Sequence, residues 1–475
     1  MPLSIHRAFA CLLLSAAATF AQAQNPLPPA VTQALVTAGI PSSAVGAVVQ
    51  EVGSRQATLS LNAATPMNPA SVMKLVTTFA ALELLGPAYR WKTEVWVSGR
   101  LHDGLLQGDL ILKGGGDPKL DLESFWILLR ALRGKGLREI RGDVVLDRSF
   151  FDRVAGDPGR FDGDPFRPYN VLPDALLVNY RSLRFRFYPE NGAVRIHVEP
   201  HPPALTIANV LRLAQGHCPE GRAFRDLLKA SFDPQRQRVA FAGQYPMSCG
   251  EKDLNVALLA PDDQVAGTMR QLWAELGGSW TGTAREAQAP AGAQLFHSHD
   301  SPPLAEIVRD TNKFSNNVLA RHLFLTLGVE SAGPPADVQK ALAAINSWMA
   351  AKGIAAPELA MENGSGLSRA GRISAASLAS LLQAAWRSPV MPEFIASLPI
   401  VGLDGTMRRR LKDDGVTGQA HIKSGLLSDT RAMAGYVLDR HGRRQVVVML
   451  VNHPNAAASQ AAMDALLRWV YEGAR

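Results

Sequence analysis

Apolar runs near the start of the chain predict two strands followed by a buried helix. Residues 45–52 and 57–62 are short apolar runs, and the glycine-containing segment between them is typical of a hairpin turn. In residues 67–86, Asn68 suits the N-cap and Pro69 the first helical position, and a Gly-Pro pair ends the helix. This helix is apolar on nearly all sides, which is typical of a helix enclosed by its domain.

From about residue 91 to residue 280, short β-like runs alternate with clusters of turn-forming residues. Four of these runs predict strands, at residues 109–113, 142–147, 182–187 and 193–198. This pattern indicates a long, mostly β segment inserted at residues 91–284.

Helical periodicity returns after about residue 300 and gives way to strands near the end of the chain. Helices are predicted at 303–310, 317–328, 335–352 and 374–386, strands at 418–423, 432–438 and 445–452, and a last helix at 457–473. The early and late strands can form one antiparallel sheet covered by helices. The expected fold class is therefore α+β, with a main domain of residues 24–90 plus 285–475 and the mostly β insertion at 91–284.

The first 23 residues have the pattern of a secretory signal peptide. A short basic start precedes an apolar run at residues 8–20, and Ala21-Gln22-Ala23 is a small-x-small cleavage site. We expect cleavage after Ala23 and export, with an uncleaved anchor as the alternative. Cys11 lies inside the apolar run, which disfavours a lipoprotein anchor, and no later apolar run is long enough for an integral membrane anchor.

Export changes the interpretation of the cysteines, of which the chain has three. Once Cys11 leaves with the leader, Cys218 and Cys249 are expected to pair in an oxidising compartment. The bridge would close a loop of about 30 residues and stabilise the fold by about 3 kcal/mol on the chain-entropy model. A catalytic thiol is the weaker alternative, because neither flank resembles an activated cysteine.

Composition excludes several other classes. Of the 475 residues, 47% are hydrophobic, which excludes wholesale disorder, and the length admits two to four domains. Three cysteines are too few for a disulfide-dense scaffold or a four-cysteine metal site. The net charge of +7 is spread along the chain, so we expect no nucleic-acid partner.

Two short motifs near the predicted helix ends carry candidate chemistry. Ser71 and Lys74 stand at i and i+3, so a helix would bring hydroxyl and ammonium together close to its N-terminus. A desolvated lysine can serve as the base that a serine nucleophile needs, although a single Ser-x-x-Lys arises readily by chance. Ser315-Asn316-Asn317 lies in a polar break between two helices, where a helix N-cap is the plainer explanation.

A third motif ends a predicted strand. Lys423 and Ser424 could bind a carboxylate. Gly425, which Leu426 follows, would allow a ligand to approach the backbone closely. A solvent-facing lysine on an edge strand is the alternative. His421 is expected to be a structural neighbour rather than a general base.

The order of the three motifs resembles that of the penicillin-binding proteins and serine β-lactamases, whose pattern is S-x-x-K, S-D-N and K-T-G. Five further segments are similar to the class C low-molecular-mass penicillin-binding proteins, which are D-alanyl-D-alanine carboxypeptidase/endopeptidases. These segments are residues 114–120, 172–179, 301–304, 362–369 and 404–406. The resemblance runs over nearly the whole mature chain, and the insertion lies between the first two motifs, as in that family.

The resemblance implies a penicillin-binding transpeptidase/β-lactamase-like domain and a role for each motif residue. Ser71 would be the nucleophile, Lys74 its base, Ser315 a proton relay, Asn317 a ligand for a substrate amide, and Lys423 and Ser424 the carboxylate site. Backbone N–H groups of Ser71 and Leu426 would form the oxyanion hole. The insertion would recognise the diaminopimelate side chain of peptidoglycan, with Asp164 and Arg369 as candidates for its amine and carboxylate, and Asp162 close by.

The expected partners are peptidoglycan stem peptides and cross-links, with β-lactams as covalent inhibitors, in the periplasm. No cofactor is implied, and a homodimer stays open. His297, His299 and Asp300 resemble part of a metal site, but no further ligand cluster accompanies them, so we expect no metal. The alternatives are a serine β-lactamase, which the chain length and insertion disfavour, a non-enzymatic β-lactam sensor or scaffold, and an esterase of similar fold.

Overall fold

The computed structural model describes residues 26–154 and 156–474. The predicted leader, its cleavage after Ala23, and Cys11 lie outside the described residues. None of the helices in the described ranges is long and apolar enough to cross a membrane.

The described residues form eleven α-helices, several short 3₁₀ turns and twenty strands. The helices are α1 Pro29–Thr37, α2 Lys74–Leu85, α3 Leu122–Gly134, α4 Gly221–Leu228, α5 Pro261–Glu275, α6 Leu304–Lys313, α7 Asn317–Ala332, α8 Val338–Ala351, α9 Ala375–Trp386, α10 Met391–Ser397 and α11 Gln460–Tyr471.

The strands vary from two to eleven residues. They are β1 Val45–Glu51, β2 Leu59–Leu61, β3 Lys92–His102, β4 Leu105–Gly114, β5 Glu139–Ile140, β6 Val144–Asp147, β7 Leu183–Glu190, β8 Ala193–Glu199, β9 Thr206–Asn209, β10 Arg212–Ala214, β11 Ala230–Asp233, β12 Arg238–Phe241, β13 Gln244–Pro246, β14 Lys252–Val256, β15 Ser279–Trp280, β16 Ala284–Glu286, β17 Gln294–Asp300, β18 Ala420–Leu426, β19 Thr430–Leu438 and β20 Arg444–Asn452.

One antiparallel sheet is built from both ends of the chain, in the order β18-β19-β20-β1-β2. The central pair joins β1 to β20, with Val45 opposite Val451 and Glu51 opposite Gln445. The predicted antiparallel sheet of early and late strands is thereby confirmed.

Helices cover this sheet on both faces, and β20 shows how. Its side chains alternate between the two cores, as the period of two along a strand requires. Val446, Val448 and Leu450 pack with α2, α7, α8 and α9 in one core. Val447, Met449 and Val451 pack with α1 and α11 in the other. The sheet with its two helical layers confirms the α+β prediction.

The inserted segment forms a seven-stranded sheet and three smaller ones. The larger sheet runs β15-β5-β4-β3-β17, with β6 and β16 paired alongside, and α3 and α5 pack against it. The smaller sheets, β14-β7-β8, β11-β12-β9 and β10-β13, share a separate apolar core. Because β17 pairs with β3, the larger sheet continues to Asp300, beyond residue 284, and the boundaries of the inserted domain stay a prediction.

Two long helices of the insertion were not predicted from the sequence. In α3 the buried residues Phe125, Leu128, Leu129 and Leu132 follow a helical period, and the Asp121 side chain accepts the N–H of Ser124 as an N-cap. In α5, the buried residues Val265, Met269 and Leu272 also follow a helical period. The helical period of apolar residues is present in the sequence of both helices, but the β-like runs on either side made it hard to recognise.

The predicted disulfide between Cys218 and Cys249 is confirmed, with a sequence separation of 31 residues. Both cysteines border the apolar core shared by the smaller sheets. The bridge therefore lies in the part of the insertion that the three smaller sheets form.

Replacing both cysteines with serine should lower the free energy of unfolding by about 3 kcal/mol, because the open chain gains loop entropy when it unfolds. Urea unfolding without reductant would measure this loss, with reduced wild-type protein as the matched control. Coincident unfolding curves for the variant and the oxidised wild type would contradict a stabilising bridge.

Candidate active site

Ser71 lies in a 3₁₀ turn, Ala70–Met73, that leads directly into α2. Pro69 is the N-cap of this turn and makes no side-chain cap, so the predicted N-cap at Asn68 is wrong by one residue. Asn68 instead holds the chain ahead of the turn: its Oδ1 accepts the N–H of Ala70 at 2.9 Å, and its Nδ2 donates to the carbonyl of Ser368 at 2.9 Å. The α-helix proper begins at Lys74, about one turn later than predicted. Ala70 has a φ of 46°, a conformation that costs a non-glycine residue roughly 1–3 kcal/mol, so its surroundings must hold this bend.

Lys74 is fully buried and its ammonium contacts the Ser71 hydroxyl. Its Nζ donates to Ser71 Oγ at 3.0 Å, to Asn317 Oδ1 at 2.7 Å and to the carbonyl of Ser365 at 2.6 Å. Burial, and then the charges of Lys423 and Arg321, hold the pKa of Lys74 well below its ordinary value. A neutral amine has two N–H donors, which Asn317 and Ser365 can occupy, so its lone pair is left for the Ser71 O–H.

Lys423 of the third motif contacts Ser315 of the second motif, as Lys74 contacts Ser71. Lys423 is fully buried, and its Nζ donates to Ser315 Oγ and to the carbonyl of Ser424, both at 2.8 Å. Burial lowers the pKa of Lys423 to about 7. Asn316 is the N-cap of α7, since its Oδ1 accepts from Val318 at 2.9 Å. The N-cap explanation thus applies to Asn316, which leaves Ser315 and Asn317 directed to the site.

The Ser424 hydroxyl has a hydrogen-bond partner that the sequence analysis did not predict. Its Oγ lies 2.9 Å from Thr406 Oγ1. Asp404 holds this turn, because its Oδ2 accepts from Lys313 Nζ at 2.5 Å and its Oδ1 accepts the N–H of Ile400 at 2.7 Å. The Asp-Gly-Thr triplet was the only sequence signal for Thr406.

Gly425 allows strand β18 to pass close to the serine turn. A Cβ at Gly425 would lie 2.6 Å from the carbonyl oxygen of Pro69 and 3.1 Å from the nitrogen of Ser71. The close approach is therefore to the protein's own backbone rather than to a ligand. Leu426, the next residue, is 59% exposed and lines the cavity in front of Ser71.

A cavity of about 1080 Å³ opens in front of these groups. Ser71, Ser315, Asn317, Ser424 and Leu426 line it, whereas the two lysines lie behind its wall. The inserted segment contributes the opposite side through Phe161, Asp162, Tyr169, Asn179, Tyr180, Ser182, Arg184, Glu199 and Asn255.

The two candidates for side-chain recognition lie at different places. Asp164 forms an ion pair with Arg167 and lines a neighbouring cavity, whereas Asp162 lines the cavity of Ser71. Arg369 Nη1 donates to Ser428 Oγ at 3.0 Å, and its guanidinium lies 4.7 Å from the ring centre of Phe161, a lining residue.

Two buried contributors, Ser365 and Arg321, were missed in the sequence analysis. The Ser365 carbonyl binds Lys74, and the Arg321 guanidinium donates to the carbonyl of Val171 at 2.6 Å. Ser365 lies in the segment 362–369 that carries the family resemblance, but no role was predicted for it, and Arg321 lies in no such segment. The role of each comes from contacts with residues far along the chain. Within the described ranges no group of three His, Cys, Asp or Glu side chains could hold a metal ion.

Two serine–lysine pairs lie beside one cavity, on an antiparallel sheet flanked by helices, which is the arrangement that the motif order predicted for a penicillin-binding protein. Comparison with known protein families identifies the family within this class. The model described as the D-Ala-D-Ala carboxypeptidase 3 (S13) family matches residues 22–472, and the chain belongs to that family, the class C low-molecular-mass penicillin-binding proteins.

Individual relatives agree with this membership. A D-alanyl-D-alanine carboxypeptidase DacB of Haemophilus influenzae is 26% identical over 86% of this chain and 85% of its own. A D-alanyl-D-alanine carboxypeptidase of Actinomadura is 28% identical over 89% and 80%. The crystal structure of penicillin binding protein 4 (dacB) from H. influenzae superposes with a TM-score of 0.76 at 23% identity, over 93% of this chain and 99% of that one. A complex of that protein with a β-lactam, with the same identity and coverage, gives 0.73.

Proposed function

We propose that the protein is a periplasmic serine-type D-Ala-D-Ala carboxypeptidase/endopeptidase that acts on peptidoglycan peptides through an acyl-enzyme at Ser71. The observation that carries the proposal is the contact of the buried Lys74 amine with Ser71 Oγ at 3.0 Å. A lysine that is held neutral can take the serine proton as the hydroxyl attacks.

In acylation, Ser71 Oγ attacks the carbonyl carbon of the penultimate D-alanine, and its proton passes to Lys74. Backbone N–H groups of Ser71 and Leu426 stabilise the negative oxygen of the tetrahedral intermediate. Ser315, which lies against Lys423, relays a proton to the leaving amine as the C–N bond breaks. Water then hydrolyses the serine ester.

Asn317 serves both the base and the substrate in this proposal. Its Oδ1 accepts from Lys74 at 2.7 Å, whereas its Nδ2 makes only a long contact of 3.5 Å to the carbonyl of Tyr169. The amide group is therefore oriented with Nδ2 available for a substrate carbonyl.

Lys423, Ser424 and Thr406 form the proposed site for the terminal carboxylate. The two hydroxyls can donate to the carboxylate oxygens, and the charged ammonium of Lys423 attracts the carboxylate from behind the wall of the cavity. For the diaminopimelate side chain, Arg369 stays the candidate for the carboxylate. Asp164 stays the candidate for the amine, and the place of Asp162 in the cavity makes it a second one.

The test of this function separates the enzyme from its alternatives. Wild-type protein is incubated with a fluorescent penicillin, and D-alanine release from a D-Ala-D-Ala peptide is measured in parallel. A stable adduct together with D-alanine release supports the proposal. Rapid turnover of penicillin would favour a β-lactamase, an adduct without peptide hydrolysis a sensor, and the absence of any adduct would contradict a penicillin-binding enzyme.

The kcat/KM for a D-Ala-D-Ala peptide should fall as pH rises above about 7, because the free enzyme then loses the proton of Lys423 that attracts the substrate carboxylate. A peptide whose C-terminus is amidated should lack this descending limb. Measuring kcat/KM from pH 5 to 10 for both substrates checks the assignment.

Lys423→Arg is the informative variant for this profile, since arginine keeps its charge across the range. Its descending limb should be lost even if its maximum activity is lower. A limb that persists in Lys423→Arg would assign the titration to another group.

A further inference from the structure

The cavity that Asp164 lines has a volume of about 660 Å³ and adjoins the cavity of Ser71. The two cavities meet at three side chains that line both of them, those of Asp162, Tyr169 and Asn255. We call the smaller one the α4 cavity, because helix α4 and the residue that follows it contribute four charged side chains to its lining. These are Arg222, Arg225, Asp226 and Lys229.

Helix α4 is apolar on one face and cationic on another. Phe224 and Leu228 are buried in the apolar core of the smaller sheets. Arg222 and Arg225 are three residues apart, and Lys229 follows four residues later, so neighbouring cations of this row lie about one helical turn, or about 6 Å, apart. Like charges at these spacings destabilise a helix, and a bound anion would offset that cost.

The three carboxylates of the α4 cavity already have partners. Asp164 forms an ion pair with Arg167, and Asp226 lies 3.8 Å from Nε of Arg222. Asp162 accepts hydrogen bonds from a tyrosine hydroxyl at 2.6 Å and from an asparagine amide at 2.8 Å. The carboxylates therefore leave two of the four cations of the cavity without a counter-charge.

The two remaining cations are Arg225 and Lys229. In the part of the chain that the structure describes, neither side chain forms a hydrogen bond or an ion pair. Arg225 is half-buried and Lys229 is exposed. Because one helical turn separates them and both line the same cavity, a single anionic group can contact both side chains.

The start of α4 lies near the main domain. Glu220 is the N-cap of α4, and its Oε2 is 4.0 Å from Nη1 of Arg409. Arg409 follows Thr406, a lining residue of the Ser71 cavity, by only three residues. The row of cations on α4 therefore begins beside the cleft in which the main domain and the insertion face each other.

We propose that the α4 cavity binds carboxylate groups of the peptidoglycan peptide that Ser71 cleaves, with Arg225 and Lys229 as their ligands. The proposal rests on the proposed function, which supplies a stem peptide with glutamate carboxylates outside the reacting D-Ala-D-Ala end. The planar guanidinium matches a carboxylate with two parallel hydrogen bonds. The site uses none of the residues assigned to the acyl transfer.

Equilibrium binding of two synthetic ligands to the full-length Ser71→Ala protein tests this without turnover. Both ligands are cross-linked dimers of stem peptides with the same fluorophore. One carries free glutamate carboxylates, and in the other these groups are carboxamides. Fluorescence anisotropy should show at least ~5-fold tighter binding of the carboxylate dimer, because the carboxamide loses the charged hydrogen bonds to the α4 cations.

Variants made in the same protein locate the binding. Arg225→Gln should bind the carboxylate dimer at least ~5-fold more weakly and the carboxamide dimer as before. Arg238→Gln is the matched control and should keep the preference, since Arg238 is an exposed arginine on β12 that lines neither cavity within the described ranges. If Arg225→Gln does not fold, Lys229→Gln at an exposed position still decides the question.

Two results would overturn the proposal: equal binding of the two dimers, or a preference for the carboxylate dimer that survives in both Arg225→Gln and Lys229→Gln. Failure of the proposed function has a different signature. A preference that depends on Arg225, in a wild-type protein that hydrolyses no D-Ala-D-Ala peptide, would retain the α4 site and refute the enzyme activity.

Discussion

Ser71→Ala should abolish covalent labelling by fluorescent penicillin and lower kcat/KM for a D-Ala-D-Ala peptide by roughly 10⁴-fold or more. Among the hydroxyls that line the described part of the cavity, only that of Ser71 contacts a buried amine that also donates to two other acceptors. Ser315, the other serine beside a lysine, accepts from Lys423 but lacks this arrangement. Gel fluorescence after labelling and a D-alanine release assay measure the two effects.

The fold of Ser71→Ala should be intact, because only one hydrogen bond to Lys74 is lost. Ser182→Ala is a matched control, since Ser182 lines the same cavity and no side-chain hydrogen bond forms at its hydroxyl within the described residues. Ser182→Ala should be labelled as the wild type is. Labelling that survives in Ser71→Ala would place the nucleophile elsewhere.

Lys74→Met should slow acylation by roughly 10³-fold or more, because Ser71 then lacks the base that accepts its proton. Methionine has a similar length and no charge, so it can occupy the buried space. Stopped-flow labelling at several penicillin concentrations would give the acylation rate. A variant that is acylated as fast as the wild type would show that another group is the base.

The same variant changes how stability depends on pH. Because the pKa of Lys74 is lowered in the folded state, the unfolded chain binds the extra proton, and wild-type stability rises with pH from the folded pKa up to about 10.4, the ordinary value. Lys74→Met should lose the part of the rise that Lys74 contributes, whereas the part that Lys423 contributes remains in both proteins. Urea unfolding of both proteins at pH 7 and pH 9 measures the difference, and parallel changes in the two proteins would contradict a lowered pKa.

The two serine–lysine pairs could be predicted because their geometry is local or follows from chain order. Ser71 and Lys74 are three residues apart, so a helical turn alone brings them together. Ser315 and Lys423 depend on a tertiary contact, and only the order of the motifs indicated it. The Ser365 carbonyl, by contrast, reaches Lys74 from 291 residues along the chain and carries no side-chain signal.

The same distinction applies to the fold. The strands β19 and β20 of the main sheet are apolar runs of nine residues each that are buried on both faces, so their pattern could be recognised in the sequence. The smaller sheets contain parallel pairs, β9 with β12 and β10 with β13, of only three or four residues each. Their pairing depends on the packing around the disulfide, which no periodicity encodes.

Pairing of the first and last strands has a consequence for the order of events during synthesis. β1 is complete about 400 residues before β20 exists. At roughly 5–20 residues per second, that interval is on the order of 20–80 s. The inserted sheets can acquire their own cores in this time, but β18, which carries Lys423, and β20 are made last. Until β18 and β20 are made, Lys423 cannot lie beside Ser315, so the cavity of Ser71 is complete only after these late strands have joined the sheet.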